Sequence, residues 1–253
     1  MATGAPAPGP GGPGAPGAAT TCFVLREGYA MYRGPVVDGS PHAHAAFQIA
    51  VAPRGEMTVE DASGRPHRAA ALLVPPMVRH RLRASPELLV FYIEPHCAFA
   101  DRLRALRAPG ITAAPEQASL CEEEVRAATA RPSRELDGRL LAVMGTLARE
   151  RVPIGSLAPA VGLSPQRLRA LARAQLGMPL PRWRIWQALA RAARALAEGR
   201  SPAEAALDGG FADQAHFTRQ LREMTGLTPS QVAPLLRRSA APGHVDGDGP
   251  GDR

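Results

Sequence analysis

The chain has 253 residues, 45% of them hydrophobic, enough for one large domain or two ordinary ones around packed cores. All of its basic side chains are arginine, and the formal charge of +7 permits polyanionic partners without specifying them. Its three cysteines lack paired or CxxC spacing and no run of 18 apolar residues occurs, which argues against a disulfide scaffold and a membrane-spanning helix.

Residues 1–20 are rich in Ala, Gly and Pro and carry no charge. They lack the basic start and continuous apolar core of a signal peptide, so a disordered tail on a cytoplasmic protein is expected. Residues 239–253 read as a second such tail. From Thr21 to about residue 112, short apolar runs alternate with turn residues. Strands are expected at Cys22–Arg26, Ala46–Ala52, Met57–Asp61, Ala69–Val74 and Leu88–Ile93, punctuated by Gly55, Ser63–Pro66, Pro75-Pro76 and Ser85-Pro86. Short strands at near-regular spacing suggest a small antiparallel barrel or sandwich.

From about Pro115 the chain turns helical. Glu116–Ala130 and Ser133–Arg149 read as amphipathic helices, the second with Leu136, Leu140, Val143, Met144 and Leu147 on one stripe. That stripe suits a core or a dimer face, and residues 113–150 are accordingly read as linker and dimerisation helices. Beyond them, Ser164-Pro165, Ser201-Pro202 and Thr228-Pro229 each place a capping hydroxyl ahead of a proline at the first helical position. Ser201-x-x-Glu204 and Thr228-x-x-Gln231 have capping-box spacing, Asp213 suits a further cap, and Gly177 and Gly226 suit helix ends.

One pattern occurs twice. A short helix near Ser156–Val161 meets a turn at Gly162-Leu163 and a longer helix over Pro165–Leu176. Later, Pro202–Leu207 meets Gly209-Gly210 and a helix over Gln214–Met224. Short helix, tight turn, longer helix is the helix-turn-helix arrangement. A single helix over Pro181–Glu198, about 27 Å long at 1.5 Å per residue, joins the two units. Between residues 151 and 238 there are 13 Arg against five acids, so this third of the chain carries the entire basic excess.

Residues 154–237 resemble the DNA-binding domain of the AraC/XylS family. The matching positions are Leu157-Ala158, Ser164, Leu168, Leu171, Gly177 and Trp183. The run Gly210-Phe211-Ala212-Asp213-Gln214-Ala215-His216-Phe217 follows, then Arg219, Leu221 and Gly226-Leu227-Thr228-Pro229. Ala188 stands where an Arg is usual, Ala172 where an aromatic is usual, and Pro159 interrupts the first short helix. The resemblance implies a transcriptional regulator binding double-stranded DNA. The outward faces of the two reading helices, Gln166, Arg169 and Arg173 on the first and Gln214, Thr218 and Arg219 on the second, would meet bases or phosphates. RNA polymerase and a second copy of the chain are further expected partners. Trp183 and Trp186 are read as packing residues.

In the N-terminal half, His42-x-His44-x3-Gln48 and Pro75-x-Met77-x2-His80 resemble the two signatures of the cupin barrel, with Gln48 in place of an acid and Met77 in place of a glycine. In metal-binding cupins the corresponding residues converge on one ion, so His42, His44 and His80 are candidate ligands of a divalent metal. Three readings stand together: a sensor pocket using His42, His44, Gln48 and His80 as polar handles for a small-molecule effector, a metal site, or histidines with structural hydrogen bonds alone. The expected protein is an α+β chain of two domains. A cupin-like barrel (21–112) senses a ligand and an all-α domain (151–238), with its two helix-turn-helix units on a long connector, binds DNA. The alternative is a metal-dependent cupin dioxygenase or isomerase with an accessory DNA-binding domain. That reading leaves the tandem helical units unexplained, and no phosphate loop, nucleophile elbow or zincin helix is present.

Overall fold

A computed structural model describes residues 21–106 and 109–240. The two expected tails lie outside the described residues, except that the last helix runs to Ala240.

The described residues of the N-terminal half form nine strands: β1 (Cys22–Leu25), β2 (Tyr29–Val36), β3 (Phe47–Val51), β4 (Met57–Asp61), β5 (Pro66–Ala69), β6 (Ala71–Val74), β7 (His80–Leu82), β8 (Ser85–Ile93) and β9 (Thr112–Ala113). They form an antiparallel sheet of order β1-β2-β8-β3-β6-β9, faced by a smaller one of order β5-β4-β7. Alternation along the central strands sorts residues to two interiors. Ile49, Leu73, Phe91 and Ile93 pack against α1 (Ala98–Ala105) and α2 (Glu122–Thr129), reaching Phe99, Leu103 and Val125. Ala50, Leu72, Val74, Leu88 and Val90 point the other way, toward Val59 and Leu82 of the smaller sheet. A sheet covered on both faces accounts for the near-continuous apolar runs of β3, β6 and β8.

The C-terminal half is all-α: α3 (Gly138–Arg149), α4 (Ile154–Ala160), α5 (Pro165–Leu176), α6 (Leu180–Ala197), α7 (Pro202–Gly209), α8 (Gln214–Thr225) and α9 (Pro229–Ala240). Helix starts fall where the capping residues stand. Ser164 Oγ accepts from Arg167 N, Ser201 and Glu204 complete a capping box, and Asp213 accepts from His216 N at 2.6 Å. The Thr228 box is only half made, because Gln231 Oε1 takes both Thr228 N–H and Thr228 Oγ–H. Gly177, Gly210 and Gly226 close α5, α7 and α8 in the left-handed conformation, as helix-ending glycines do. Pro159 lies well past the first turn of α4, where its missing N–H forfeits a helical hydrogen bond.

The apolar stripe of α3 turns inward. Leu136, Leu140, Val143, Met144 and Leu147 are all buried with Leu157, Leu168, Trp183 and Leu196 in one cluster, and Trp183 Nε1 donates to Met144 O at 3.3 Å. The expected linker or dimer helix is therefore part of the C-terminal core, and its stripe is not free to face a second copy. The reason is length: α6 is long enough to cover α3 as well as the first helix-turn-helix unit. That cluster also reaches across to the β-domain, taking in Ala45 with Phe23, Leu25 and Met77 packed against it.

Candidate DNA-reading faces and effector site

Both helix-turn-helix units close small cores. Leu157 and Leu168 are buried in the first, with Val161 and Leu171 beside them; Ala206, Phe211, Phe217 and Leu221 are buried in the second. Burial of these residues fixes which face of each longer helix looks outward. On α5, Gln166, Arg169 and Arg173 are exposed; on α8, Gln214 and Arg219 are exposed and Thr218 is half-buried. Thr218 Oγ1 is turned back to Gln214 O at 2.8 Å, a local bond that holds its hydroxyl against the helix. Arg169, Arg173 and Arg219 on these two faces form no ion pair among the described residues. The connector α6 spans 18 residues, or about 27 Å.

The carbonyls that end α7 are held by two guanidiniums. Arg151 donates to Leu207 O and Asp208 O, and Arg191 donates to Gly209 O and to Ala148 O of α3. Positive charge at a helix C-terminus is favourable, and here it also fixes the second unit against α3 and α6. Sequence reasoning passed over these two arginines because nothing local distinguishes them from surface charge.

The four polar residues singled out in the N-terminal half do converge. His42, His44, Gln48 and His80 are all buried, at 3%, 0%, 0% and 1% exposure. His42 and His80 are joined by reciprocal backbone bonds of 2.9 Å, and their rings stand 4.5 Å apart. The His44 ring lies 5.8 Å from His42 and 5.0 Å from His80. Gln48, central on β3 between Tyr92 and Val74, presents Oε1 to Nε2 of His44 (3.0 Å) and of His80 (3.2 Å). Each Nδ1 lies 2.8–2.9 Å from a backbone carbonyl, of Ser40, Ala46 and Val78 respectively. Burial lowers the pKa of all three rings, that of His44 to about 4, and their proximity reinforces the effect for His44 and His80. Met77 reaches this site at φ +63°, the left-handed region that a glycine would occupy freely. It donates its N–H to His44 O at 2.8 Å and packs its side chain toward the helices.

The spacing of these rings leaves room among them for an ion and none for an organic molecule. Space for the latter lies next door, between the β-domain and the helices. One hollow is lined by Phe23, Leu25, Tyr29, Trp186, Leu189 and Leu227, with Arg26, Glu94 and Arg194 as its charged members. Its cavity volume is about 80 Å³, and it opens to solvent. A second hollow shares Phe23, Tyr92 and Leu227 with the first and has His42 in its wall. Trp186 belongs to this seam as well as to the core: its ring lies 6.2 Å from His44, and its Nε1 donates to Glu94 Oε1 at 3.0 Å. Gln187 Nε2 donates to the same oxygen at 2.8 Å.

The last turn of α8 completes the seam. Ala43 N donates to Glu223 O at 3.2 Å, and Gly226 is seated so closely that an added Cβ would stand 2.9 Å from Ser40 O and 3.1 Å from His42 Nδ1.

Two helix-turn-helix units on one connector, docked against a double-sheet β-domain, define a two-domain protein of the tandem helix-turn-helix class. Residues 157–234 match the family described as a helix-turn-helix domain. The arabinose operon regulatory proteins of Salmonella typhimurium and Escherichia coli are each 40% identical to this chain over 86 residues, 34% of this chain and 31% and 30% of theirs. The chain thus spans about a third of the length of the curated relatives it matches. Among solved structures, ToxT from Vibrio cholerae O395 superposes with a TM-score of 0.56 at 10% identity, covering 83% of this chain and 99% of that one. ToxT has also been crystallised with an unsaturated fatty acid bound, a form that superposes at 0.53 with 10% identity over 83% of this chain and 98% of that one. The C-terminal domain is thus similar to the helix-turn-helix domain of the arabinose operon regulatory proteins, and the two-domain fold is like that of ToxT.

Proposed function

We propose that the protein is a sequence-specific DNA-binding transcriptional regulator whose promoter binding is modulated by a small molecule, and that it acts in the cytoplasm as a regulator rather than an enzyme. The observation that carries this reading is the pairing of two exposed, arginine-bearing reading helices with an apolar hollow between them and the β-domain. Gln166, Arg169 and Arg173 of the first unit and Gln214, Thr218 and Arg219 of the second contact the DNA. The glutamines suit adenine and the arginines guanine or phosphate. No helix among the described residues is long and apolar enough to cross a membrane.

The effector is an apolar molecule with an anionic or hydrogen-bonding group, seated between β1 and α6. Phe23, Leu25, Trp186 and Leu189 meet its apolar body, Arg26 and Arg194 its polar end, and His42 closes the adjoining space. The fatty acid bound by ToxT, a protein of the same fold, supports this class of ligand. A molecule wedged there acts on DNA binding only through its differential affinity for the docked and undocked arrangements of the two domains.

The test is recovery of fragments bound by the purified full chain from sheared genomic DNA at near-physiological salt. Enrichment of a few promoters sharing two half-sites about one helical turn (~34 Å) apart is expected. A folded sample that enriches nothing, with and without a panel of apolar carboxylic acids, overturns the reading.

A further inference from the structure

The side of α6 turned away from the effector hollow carries positive charge that the protein does not balance. Arg184, Ala188 and Arg191, at i, i+4 and i+7, share this face, whereas Trp186, Leu189 and Ala193 line the hollow on the other. The three residues form one wall of a separate cavity of about 450 Å³ between the two helix-turn-helix units. The approach to α4, residues 150–153, forms a second wall, and Gly210, Phe211 and His216 of the second unit form a third. A methyl group at Ala188, midway between the two arginines of α6, leaves the floor open.

Arg151, Arg184 and Arg191 form no ion pair among the described residues. Arg151 and Arg191 meet backbone carbonyls, those ending α7 and Ala148 O. A helix C-terminus supplies about half a negative charge. Glu150 on the rim, itself without an ion-pair partner among the described residues, supplies one more. Three guanidiniums exceed that supply by about one and a half charges. Arg191 bears the excess most directly: burial and then the nearby Arg151 and Arg194 lower its pKa, and its Nε, shut off from solvent, has no acceptor. His216 adds a donor to the same cavity. Its Nδ1 accepts from Ala212 N at 3.4 Å, so the neutral ring keeps its proton on Nε2.

We propose that this cavity binds a terminal phosphoryl group, carried by inorganic phosphate or by a phosphate monoester. Such a group holds about −1.5 to −2 charges at neutral pH, which matches the excess on the walls. Its oxygens can take donors from three walls at once, and guanidinium forks fit phosphate edges. The bound group ties together the approach to the first unit, the connector and the second reading helix, and so fixes the angle between the two units. The site is separate from the apolar effector hollow, and its occupation does not depend on the DNA-binding reading.

The experiment titrates the full chain with inorganic phosphate near neutral pH, without DNA, at an ionic strength held constant with chloride. The phosphorus resonance linewidth and the thermal midpoint are followed. Saturation at one phosphate per chain is expected. Arg184→Gln removes one charge-assisted contact and weakens binding at least ~10-fold. Ala188→Met keeps every charge, fills the floor and weakens binding by at least the same factor. Arg68→Gln, at an exposed arginine of β5, leaves it unchanged. Arg184 makes no bond within the protein, so Arg184→Gln decides the matter even where Ala188→Met fails to fold. Absence of saturable binding to the parent chain overturns the proposal, as does binding that survives Arg184→Gln. A midpoint raised equally in all variants overturns it too, because exclusion of phosphate from any protein surface has that effect. Recovery of DNA fragments is scored in a separate experiment, so failure of this site and failure of the regulator reading remain distinguishable.

Discussion

Glu94 is the polar hinge pin between the two domains, and Glu94→Ala tests that role directly. Its Oε1 accepts 3.0 and 2.8 Å bonds from Trp186 and Gln187, two successive residues of the connector helix, and its side chain is only 14% exposed. Truncation strands both donors. A stranded buried donor costs about 1–3 kcal/mol. Gln187 is 6% exposed and falls toward the upper end of that range, whereas Trp186 lines the hollow and can find water. The expected loss is therefore about 2–4 kcal/mol, read from urea unfolding of the full chain at pH 7. Trp186→Phe removes the N–H while keeping an aromatic ring, so a double-mutant cycle isolates the bond; its coupling energy should be about 1 kcal/mol. A Glu94→Ala loss below about 0.5 kcal/mol with zero coupling refutes the hinge.

Arg219→Ala should weaken specific DNA binding by about 1–3 kcal/mol at fixed salt, whereas Arg237→Ala, on the exposed side of α9, should change little beyond the salt dependence; equal losses would misplace the reading face. Asp213→Ala removes the cap on α8 and should cost about 1 kcal/mol of stability, seen in the urea midpoint and reversed by Asp213→Ser. The pKa values of His42, His44 and His80 are depressed on folding, so below their ordinary value of 6.5 the unfolded chain takes up protons that the folded chain refuses. The protein should be fully stable above about pH 6.5 and lose about 1.4 kcal/mol per pH unit for each such histidine as the pH falls toward the folded values. His80→Gln should remove about a third of that slope, and a urea midpoint flat from pH 7 to 5 would show that the rings are not held neutral.

The strongest local signals were the helix caps. Pro165–Leu176 has the bounds that Ser164 and Gly177 imply, and α8 begins directly after Asp213. Apolar runs located β3, β4, β6 and β8. The strands that escaped notice lack that signature. β2 contains Gly34 and Pro35 at a bulge, β5 opens on Pro66, and β7 has three residues, one of them a histidine whose partner is His42. The helix α1 was overlooked because the run after Cys97 is short and bracketed by strand and turn signals. The resemblance to the two cupin signatures implied that His42, His44, Gln48 and His80 converge. Their tautomers and the closeness of Trp186 depend on tertiary contacts with no local trace, since Glu94 and Trp186 lie 92 positions apart. The direction faced by the α3 stripe was equally hidden, because a period names a face and not its neighbour.

The anchoring of α8 at one end gives it mechanical advantage. Its last turn is clamped where Glu223 and Gly226 meet Ala43, Ser40 and His42, while Gln214 and Arg219 extend from its other half. Twelve residues make a stiff rod about 18 Å long. A tilt of about 10° at the clamp sweeps the free tip through about 3 Å, several times the half-ångström tolerance of a well-formed polar contact. On the proposed DNA-reading role of α8, a displacement too small to notice at the histidines would arrive at a base edge as the difference between contact and none.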